Sequence, residues 1–493
     1  MTEVQTPGTL VDTYQLYIDG RWVEPEDGRY DDISPATEET IATAPDASVA
    51  QVGEAIAAAR RAFDDGPWGG MSHQERAGCL NQLGDALVKH ADEFFALSQA
   101  EWGCIANERV MQVDGAGYMS MRAAQLAAEL GDRPVTGVGA GTTLMCHEPL
   151  GVVSILTPWN FPHCLNVMKV NNALAAGNTV VLKPSPLTPL AGLALARIID
   201  EHTDIPPGVV NVVTPSGLEA AKLLTTDPRI DMISFTGSSA VGCEVMRAAG
   251  DAMKRILLEC GGKSASIVLD DTVVTDQMLE QMLFDCCSLH AGQACILHSR
   301  LLLPNSLHDD VVGRLVELAR AVRVGDPTDP DVQMGPLISA AQLQRVQAHV
   351  DGALSDGAKL MTGGGRPAGQ DVGFFFEPTI LAEVDPDSTI AQEEVFGPVL
   401  SVLRYSDDDD AVAIANNSRY GLSGAVWGSD VDRAVGVARR IRTGQIAVNG
   451  IGPGDAPFGG FKLSGFGREG GGIGSLHQYM EPKAIGMPAL RDP

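Results

Sequence analysis

The chain has 493 residues, 44% hydrophobic and 20% charged, which is too long for one hydrophobic core and points to a globular protein of two or three domains. Its 63 acidic against 35 basic side chains give a formal net charge of −28, and so acidic a surface repels phosphate backbones, so nucleic acid is not expected as a partner. Nine cysteines with no Cys-x-x-Cys pair disfavour a disulfide framework or a zinc site and fit a reducing compartment, so a cytoplasmic protein without a metal is expected.

The first residues, MTEVQTPGTL, have neither the basic nor the apolar region of a secretory signal. No run approaches the ~18 apolar residues of a spanning helix, so no membrane is expected. Tyr14–Ile18 reads as a strand closed by Asp19-Gly20. Val49, Val52, Ile56 and Phe63 recur at spacings of 3, 4 and 7 and predict an amphipathic helix. A second helix is predicted over Gln74–His90, with helical texture to Glu129. The glycines of Gly137–Gly141 follow no clear strand and are set aside as a cofactor motif. Thr142–His147 alternates weakly, like an edge strand that wants a partner.

From Gly151 short apolar runs alternate with Ala-rich ones. Gly151–Leu156, Thr179–Leu182, Val209–Val213 and Asp231–Phe235 suit strands buried on both faces of a parallel sheet, with helices over Leu187–His202 and Gly217–Leu224 between them. Such alternation predicts an α/β doubly wound sheet. Lys254–Leu258 reads as helix-like. A second α/β unit starts near Ser266–Leu269 and includes Phe375–Ile380, Val399–Leu403 and Gly444–Val448 as later elements. The acidic run Asp407–Asp410 reads as a solvated turn before a helix rather than a metal site. Gly450–Gly474 reads as ordered loop.

Four segments carry candidate chemistry. In Gly292-Gln293-Ala294-Cys295 a cysteine follows a Gly-Gln turn that lets a backbone N–H approach a reacting oxygen, whereas Cys286 and Cys287 read as small buried hydrophobes. Glu259 stands in an apolar context beside Gly261 and Gly262, a candidate general base. Thr157-Pro158-Trp159-Asn160-Phe161-Pro162 directly follows a strand, where parallel sheets place ligands, and the Asn160 amide either braces the loop or donates to a developing oxyanion. Phe235-Thr236-Gly237-Ser238 through Gly242 follows a strand and opens a helix, which suits a phosphate.

Together these segments resemble the aldehyde dehydrogenase superfamily over nearly the whole chain. PWNFP at 158–162, KPS at 183–185, FTGS at 235–238, E-x-GGKS at 259–264, GQxC at 292–295, EEVFGP at 393–398 and PFGGFKLSGFGRE at 457–469 appear in the family's order. The resemblance implies Cys295 as nucleophile, Glu259 as base and Asn160 as oxyanion donor. It implies Lys183 at the adenine ribose with Ser185 and Pro186 nearby, and Gly217 under the adenine. Gly237, Ser238 and Gly242 would form the pyrophosphate turn, with Phe235 and Thr236 also at the cofactor. Glu394 would hold the nicotinamide ribose beside Phe396, with Thr157, Trp159 and Gly261 at the cofactor cleft. Phe161, Leu165, Met168 and Phe458 would line the aldehyde channel.

Three positions depart from the pattern: Cys260 where Leu is frequent, His290 where Asn is frequent, and Pro186 where Glu is common. His290 is read as structural, because Glu259 already fills the base position. Pro186 implies NAD use with weakened discrimination against NADP. The resemblance also implies a fold of three parts: a Rossmann-like cofactor domain over 1–124 and 149–260, a catalytic α/β domain over 261–460, and a β oligomerisation extension over 125–148 and 470–493 that builds a homodimer or homotetramer. The expected reaction oxidises a small-molecule aldehyde to a carboxylic acid with NAD(P), through a thioester on Cys295. Two other readings are a CoA-acylating enzyme, which Glu259 disfavours, and a non-catalytic homologue, which the intact Cys295, Glu259 and Asn160 disfavour; a thiol hydrolase would need no nicotinamide site. The nameable channel residues are apolar and favour an aliphatic or aromatic aldehyde, while Asp455 leaves a cationic amino-aldehyde open.

Overall fold

The computed structural model describes residues 14–136 and 141–488. The signal-free reading of the first ten residues, the glycine-containing run at 137–140 and the last five residues of the proposed extension lie outside the described residues.

The chain begins with strands β1 (Leu16–Ile18), β2 (Arg21–Val23), β3 (Arg29–Ile33) and β4 (Thr40–Pro45), followed by helices α1 (Val49–Asp64), α2 (His73–Lys89), α3 (Ala91–Glu101) and α4 (Gly115–Glu129). Ser48 and Ser72 open α1 and α2 with reciprocal capping boxes, to Gln51 and Glu75, each cap being worth about 1 kcal/mol. The buried face of α1 is Val52, Ala55, Ile56 and Ala59, whereas Val49 is exposed.

Strands β5 (Arg133–Thr136) and β6 (Gly141–Pro149) lead into the alternating region: β7 (Val152–Leu156), α5 (Pro162–Ala175), β8 (Thr179–Lys183), α6 (Pro189–His202), β9 (Val210–Val212), α7 (Leu218–Thr226), β10 (Met232–Thr236), α8 (Ser239–Gly250) and β11 (Arg255–Glu259). Then follow β12 (Ala265–Val268), α9 (Asp276–Leu283), β13 (Arg300–Pro304), α10 (His308–Ala321), α11 (Ala340–Ser355), β14 (Lys359–Thr362), β15 (Thr379–Ala382), α12 (Thr389–Gln392), β16 (Val399–Tyr405), α13 (Asp408–Asn416), β17 (Gly424–Trp427), α14 (Val431–Ala438) and β18 (Ala447–Val448). The chain closes with β19 (Pro457–Phe458), β20 (Gly465–Phe466), β21 (Glu469–Gly470) and β22 (Met480–Pro488).

The first large sheet has the order β2-β1-β9-β8-β7-β10-β11-β20, with β7 to β11 parallel. Its strand order reverses between β7 and β10, the topological switch point at which doubly wound sheets bind ligands. The second has the order β14-β15-β16-β13-β12-β17-β18 and is parallel except for β14. The α/β doubly wound expectation holds for both. The chain passes directly from the carboxyl end of β11 to the amino end of β12 through Cys260–Ser264, so the two sheets meet end to end there.

Several sequence readings need correction: the strand predicted at Gly444–Val448 is only Ala447–Val448, and Gly450–Gly474, read as loop, carries the short strands β19, β20 and β21. Lys254–Leu258 is not helix-like: Arg255–Glu259 is strand β11, pairing with β10 from Met232↔Arg255 to Thr236↔Glu259. Thr142–His147 is not an edge. It lies in β6, the middle strand of a three-stranded antiparallel sheet, flanked by β5 and by β22, which pairs with it from Met480↔Pro149 to Pro488↔Gly141. The strand predicted at Phe375–Ile380 begins only at Thr379, because Phe374–Phe376 enters the core as irregular chain.

The acidic run is the start of helix α13 rather than a turn before it. Asp407 caps α13 by accepting from the Asp410 N–H, and Asp408–Asp410 occupy its first turn. Among the described residues no cluster of three or more His, Cys, Asp or Glu could hold a metal ion, and no helix is long and apolar enough to cross a membrane.

Candidate active site

The candidate residues converge on the junction of the two sheets. Thr157 and Asn160 follow β7, Lys183 ends β8, Thr236 ends β10 and Glu259 ends β11, all at carboxyl ends. Cys295 precedes β13, while Glu394 and Phe396 precede β16, at the amino ends of the second sheet.

Asn160 is buried in the loop that opens α5, where Pro162 takes the first helical position. Its Nδ2 donates to the carbonyl of Gln293 at 2.8 Å, two residues before the cysteine. One amide hydrogen is thus fixed and the other is left for a ligand oxygen. The Gln293 side chain does more than the sequence reading gave it. Its Nε2 donates to the carbonyls of His290 and Pro336 and its Oε1 accepts the Ile338 N–H, which fixes the loop from inside. Gly292 has φ +76°, and a Cβ there would lie 2.0 Å from the carbonyl carbon of Gly397. Only glycine lets the two loops touch.

Cys295 is half-buried, and its carbonyl lies where a Cβ on Gly262 would come within 2.5 Å. Burial, and then the Glu394 and Glu259 carboxylates, push the thiol above its ordinary range, so it rests protonated. Glu259 is buried with neither carboxylate oxygen hydrogen-bonded. Burial and the nearby Glu469 raise its pKa, opposed by Lys169 and Arg468. A Cβ on Gly459 would lie 2.8 Å from Glu259 Oε1, so Phe458-Gly459 borders the carboxylate.

Lys169 and Glu469 were missed by sequence reasoning. Lys169 Nζ donates to Glu469 Oε2 at 2.8 Å and to Ser234 Oγ at 3.1 Å, and Ser234 Oγ meets Tyr479 Oη at 3.0 Å. The one available signal was a lysine on the apolar face of α5.

The groups expected at a dinucleotide lie around the switch point. The Lys183 ammonium donates to the Pro184 carbonyl, and burial lowers its pKa to about 8. Thr236 Oγ1 is buried with no partner. Ser238 caps α8. A Cβ on Gly242 would strike Cys260 Sγ at 2.7 Å, so the cysteine that replaces the family's leucine fills the space under this turn. Gly217 caps α7 with open space around it, and Pro186 is exposed beyond the half-exposed Lys183 and buried Ser185. Glu394 Oε1 accepts the Gly262 N–H at 2.9 Å, its other oxygen lies against Gly261, and burial raises its pKa to about 7. Phe396 meets Trp159 edge-on at 5.1 Å, and Phe235 packs under Gly237. Among the described residues, a cation without a counter-ion, an orphaned hydroxyl and a helix N-terminus fit the anionic, hydroxyl-rich NAD(P) molecule.

Through α5, only Leu165 and Met168 escape full burial, and with the half-buried Phe161 at its cap they form an i, i+4, i+7 stripe. Phe161, like Phe284 and Ile296, packs against the buried cluster Leu289, Ala294 and Leu297 around the cysteine loop. Phe458 pairs with Glu469 between β19 and β21. His290 is not placed as a base. It is buried at φ +49°, its N–H donates to Glu108 Oε1 at 2.6 Å, its ring lies 5.3 Å from Phe161, and burial lowers its pKa to about 3. Asp455 accepts two N–H groups of Arg122, at 3.0 and 2.8 Å.

A family model described as "Aldehyde dehydrogenase family" matches residues 22–485. The chain is 38% identical to a betaine aldehyde dehydrogenase of Bacillus subtilis, across 95% of this chain and 96% of that one. It is 37% identical to a geranial dehydrogenase of Castellaniella defragrans, across 97% and 100%. An aldehyde dehydrogenase of Mycobacterium tuberculosis, solved in complex with NAD+, superposes with a TM-score of 0.92 at 40% identity, covering 96% of this chain and 98% of that one. The chain belongs to the aldehyde dehydrogenase family and is an NAD(P)-dependent oxidoreductase that converts an aldehyde to an acid.

Proposed function

We propose that this protein oxidises neutral, apolar aldehydes with NAD, through a thioester on Cys295 that Glu259 helps hydrolyse. The observation that carries the chemistry is the pairing of a cysteine loop clamped to Asn160 with a buried, unpartnered Glu259 at the same junction. The observation that carries the substrate class is the apolar stripe Phe161, Leu165, Met168.

When bound, the nicotinamide supplies the hydride acceptor and a positive charge that favours the Cys295 thiolate. The thiol gives its proton to solvent water, the sulfur attacks the aldehyde carbon, and the carbonyl electron pair moves to oxygen. The free Asn160 N–H and the Cys295 backbone N–H hold this oxyanion; one such donor is typically worth ~2.7–4 kcal/mol of barrier. The oxyanion collapses to a thioester as hydride leaves the same carbon. Glu259 then takes a proton from water, whose oxygen attacks the thioester carbon and releases the acid and the Cys295 sulfur. A carboxyl with a raised pKa suits a base working near neutrality.

The same reading assigns 1–124 with 149–260 to cofactor binding, 261–460 to catalysis, and 125–148 with 470–493 to subunit contact. The exposed face of β22 suits pairing in a homodimer or homotetramer. A cytoplasmic location accords with nine free cysteines. The test is a panel of aldehydes assayed with NAD: alkanals, terpenoid and aromatic aldehydes should exceed betaine aldehyde and succinic semialdehyde in kcat/KM. The reverse order would overturn the substrate class.

A further inference from the structure

The loop from Asn449 to Phe458 delivers a carboxylate, Asp455, three residues before Phe458, and Phe458-Gly459 touches the Glu259 site. Opposite it runs α4, whose outward stripe is Gly115, Tyr118, Met119 and Arg122, at helical spacings of 3, 4 and 7. α4 is fastened to α5 by Asn171 Nδ2 donating to Ser120 Oγ at 2.9 Å, one turn from Met168. Met168, the end of the stripe away from the cysteine loop, is thus one turn from the contact with α4, and its neighbour Lys169 meets Glu469, the strand partner of Phe458. Arg122 joins α4 to the Asp455 loop: its Nε and one terminal N–H both donate to Asp455 Oδ2, and its other terminal nitrogen donates to Gln125 at 3.3 Å.

Both side chains are about half exposed, 41% for Arg122 and 54% for Asp455, so the pair adds little to stability. Its consequence is electrostatic. A lone carboxylate at this place would draw cationic aldehydes, and a lone guanidinium would draw anionic ones.

We infer that the Arg122–Asp455 ion pair is the charge filter at the mouth of the aldehyde channel, each side chain cancelling the other so that neutral aldehydes are preferred. The inference rests on the reading that the stripe leading to Cys295 is the aldehyde path. It makes both residues specificity-determining although neither reaches the reacting atoms.

The test uses the full-length protein with three aldehydes: betaine aldehyde, its neutral tert-butyl isostere, and succinic semialdehyde. kcat/KM is measured for wild type, Arg122→Gln, Asp455→Asn and the double variant at low salt. Arg122→Gln should raise the cation-to-neutral ratio about three- to fivefold, the scale of one uncompensated exposed charge. Asp455→Asn should lower that ratio and raise the anion-to-neutral ratio by a similar factor, and the double variant should return both ratios towards wild type. Added salt should shrink the single-variant effects. A merely structural role would move all three aldehydes together. Ratios that stay fixed in both single variants, while the neutral aldehyde is still oxidised, would overturn the filter alone. A wild type that oxidises none of the three would overturn the channel reading beneath it as well.

Discussion

Lys169 Nζ donates to Glu469 Oε2 at 2.8 Å, and neither side chain has more than 1% of its surface exposed. The two residues are 300 positions apart, and the pair lies within electrostatic reach of Glu259. Lys169 lowers the Glu259 pKa while Glu469 raises it. Lys169→Met should therefore raise the Glu259 pKa and move the acidic limb of the kcat–pH profile to higher pH. It should also cost about 3–5 kcal/mol of stability, because Glu469 is left buried and unpaired. Lys169→Met combined with Glu469→Gln should restore much of both. A limb that stays in place in the single variant would remove Lys169 from the control of Glu259.

Glu108 holds the cysteine loop from the other side, accepting the His290 N–H, and burial raises its pKa to about 7. A carboxyl whose folded pKa lies above its unfolded value keeps its proton in the folded state while the unfolded chain loses it. Stability from this group is thus full below about pH 4 and declines as pH rises towards about 7. Glu108→Gln keeps an acceptor for the N–H and cannot ionise. Thermal melts from about pH 5 to 8 should show the variant gaining on wild type as pH rises. A constant difference would place the ionisation elsewhere.

Gly292→Ala should be among the most damaging single-methyl changes in the protein. The added carbon meets the Gly397 carbonyl at 2.0 Å and φ is +76°. A loss of about 3–5 kcal/mol is expected, with activity falling in parallel. Cys286→Ala and Cys287→Ala, in the buried turn before this loop, should leave the chemistry intact. A Gly292→Ala protein with wild-type melting and turnover would contradict the loop geometry.

Pro186 stands beyond Lys183 and offers no side-chain acceptor to a ribose hydroxyl and no charge against a ribose phosphate. NAD use with mild discrimination against NADP is the expected outcome. Pro186→Glu should raise the preference for NAD about ten- to a hundredfold, the scale of a charge-assisted hydrogen bond. The kcat/KM ratio of the two cofactors measures this. A wild type that rejects NADP by more than about a thousandfold, ~4 kcal/mol, would refute it.

Much of the site was legible in the sequence because short motifs sit where the chain turns at strand ends. Asn160, Lys183 and Thr236 each follow or end a strand that was read as an apolar run, whereas Glu259 ends one that was read as helix-like. The misreadings have physical reasons. In Arg255–Glu259 only three apolar residues stand between two charged ones, and periodicity does not separate a strand from a helix over so short a run. β6 looked like an edge because β5, just before it, carries no clear strand pattern and its other partner, β22, comes from more than 300 residues away. The Lys169–Glu469 pair was hidden for the same reason: a lysine on the apolar face of α5 is the one local sign, and nothing near it in the chain points to its partner. The Arg122–Asp455 pair likewise shows only in three dimensions, and it cancels the charge that made Asp455 a candidate for cationic substrates.

The central claim is that Cys295 carries the acyl group and Glu259 is needed to release it. The direct measurement is a rapid-mixing experiment on Glu259→Gln with NAD and an apolar aldehyde, followed by the intact mass of the quenched protein. The account predicts a burst of NADH near one equivalent per site, a slow steady state, and a mass increase equal to the acyl group, located on Cys295 and absent in Cys295→Ala. Unchanged steady-state turnover in Glu259→Gln, or a burst without acyl mass on Cys295, would contradict it.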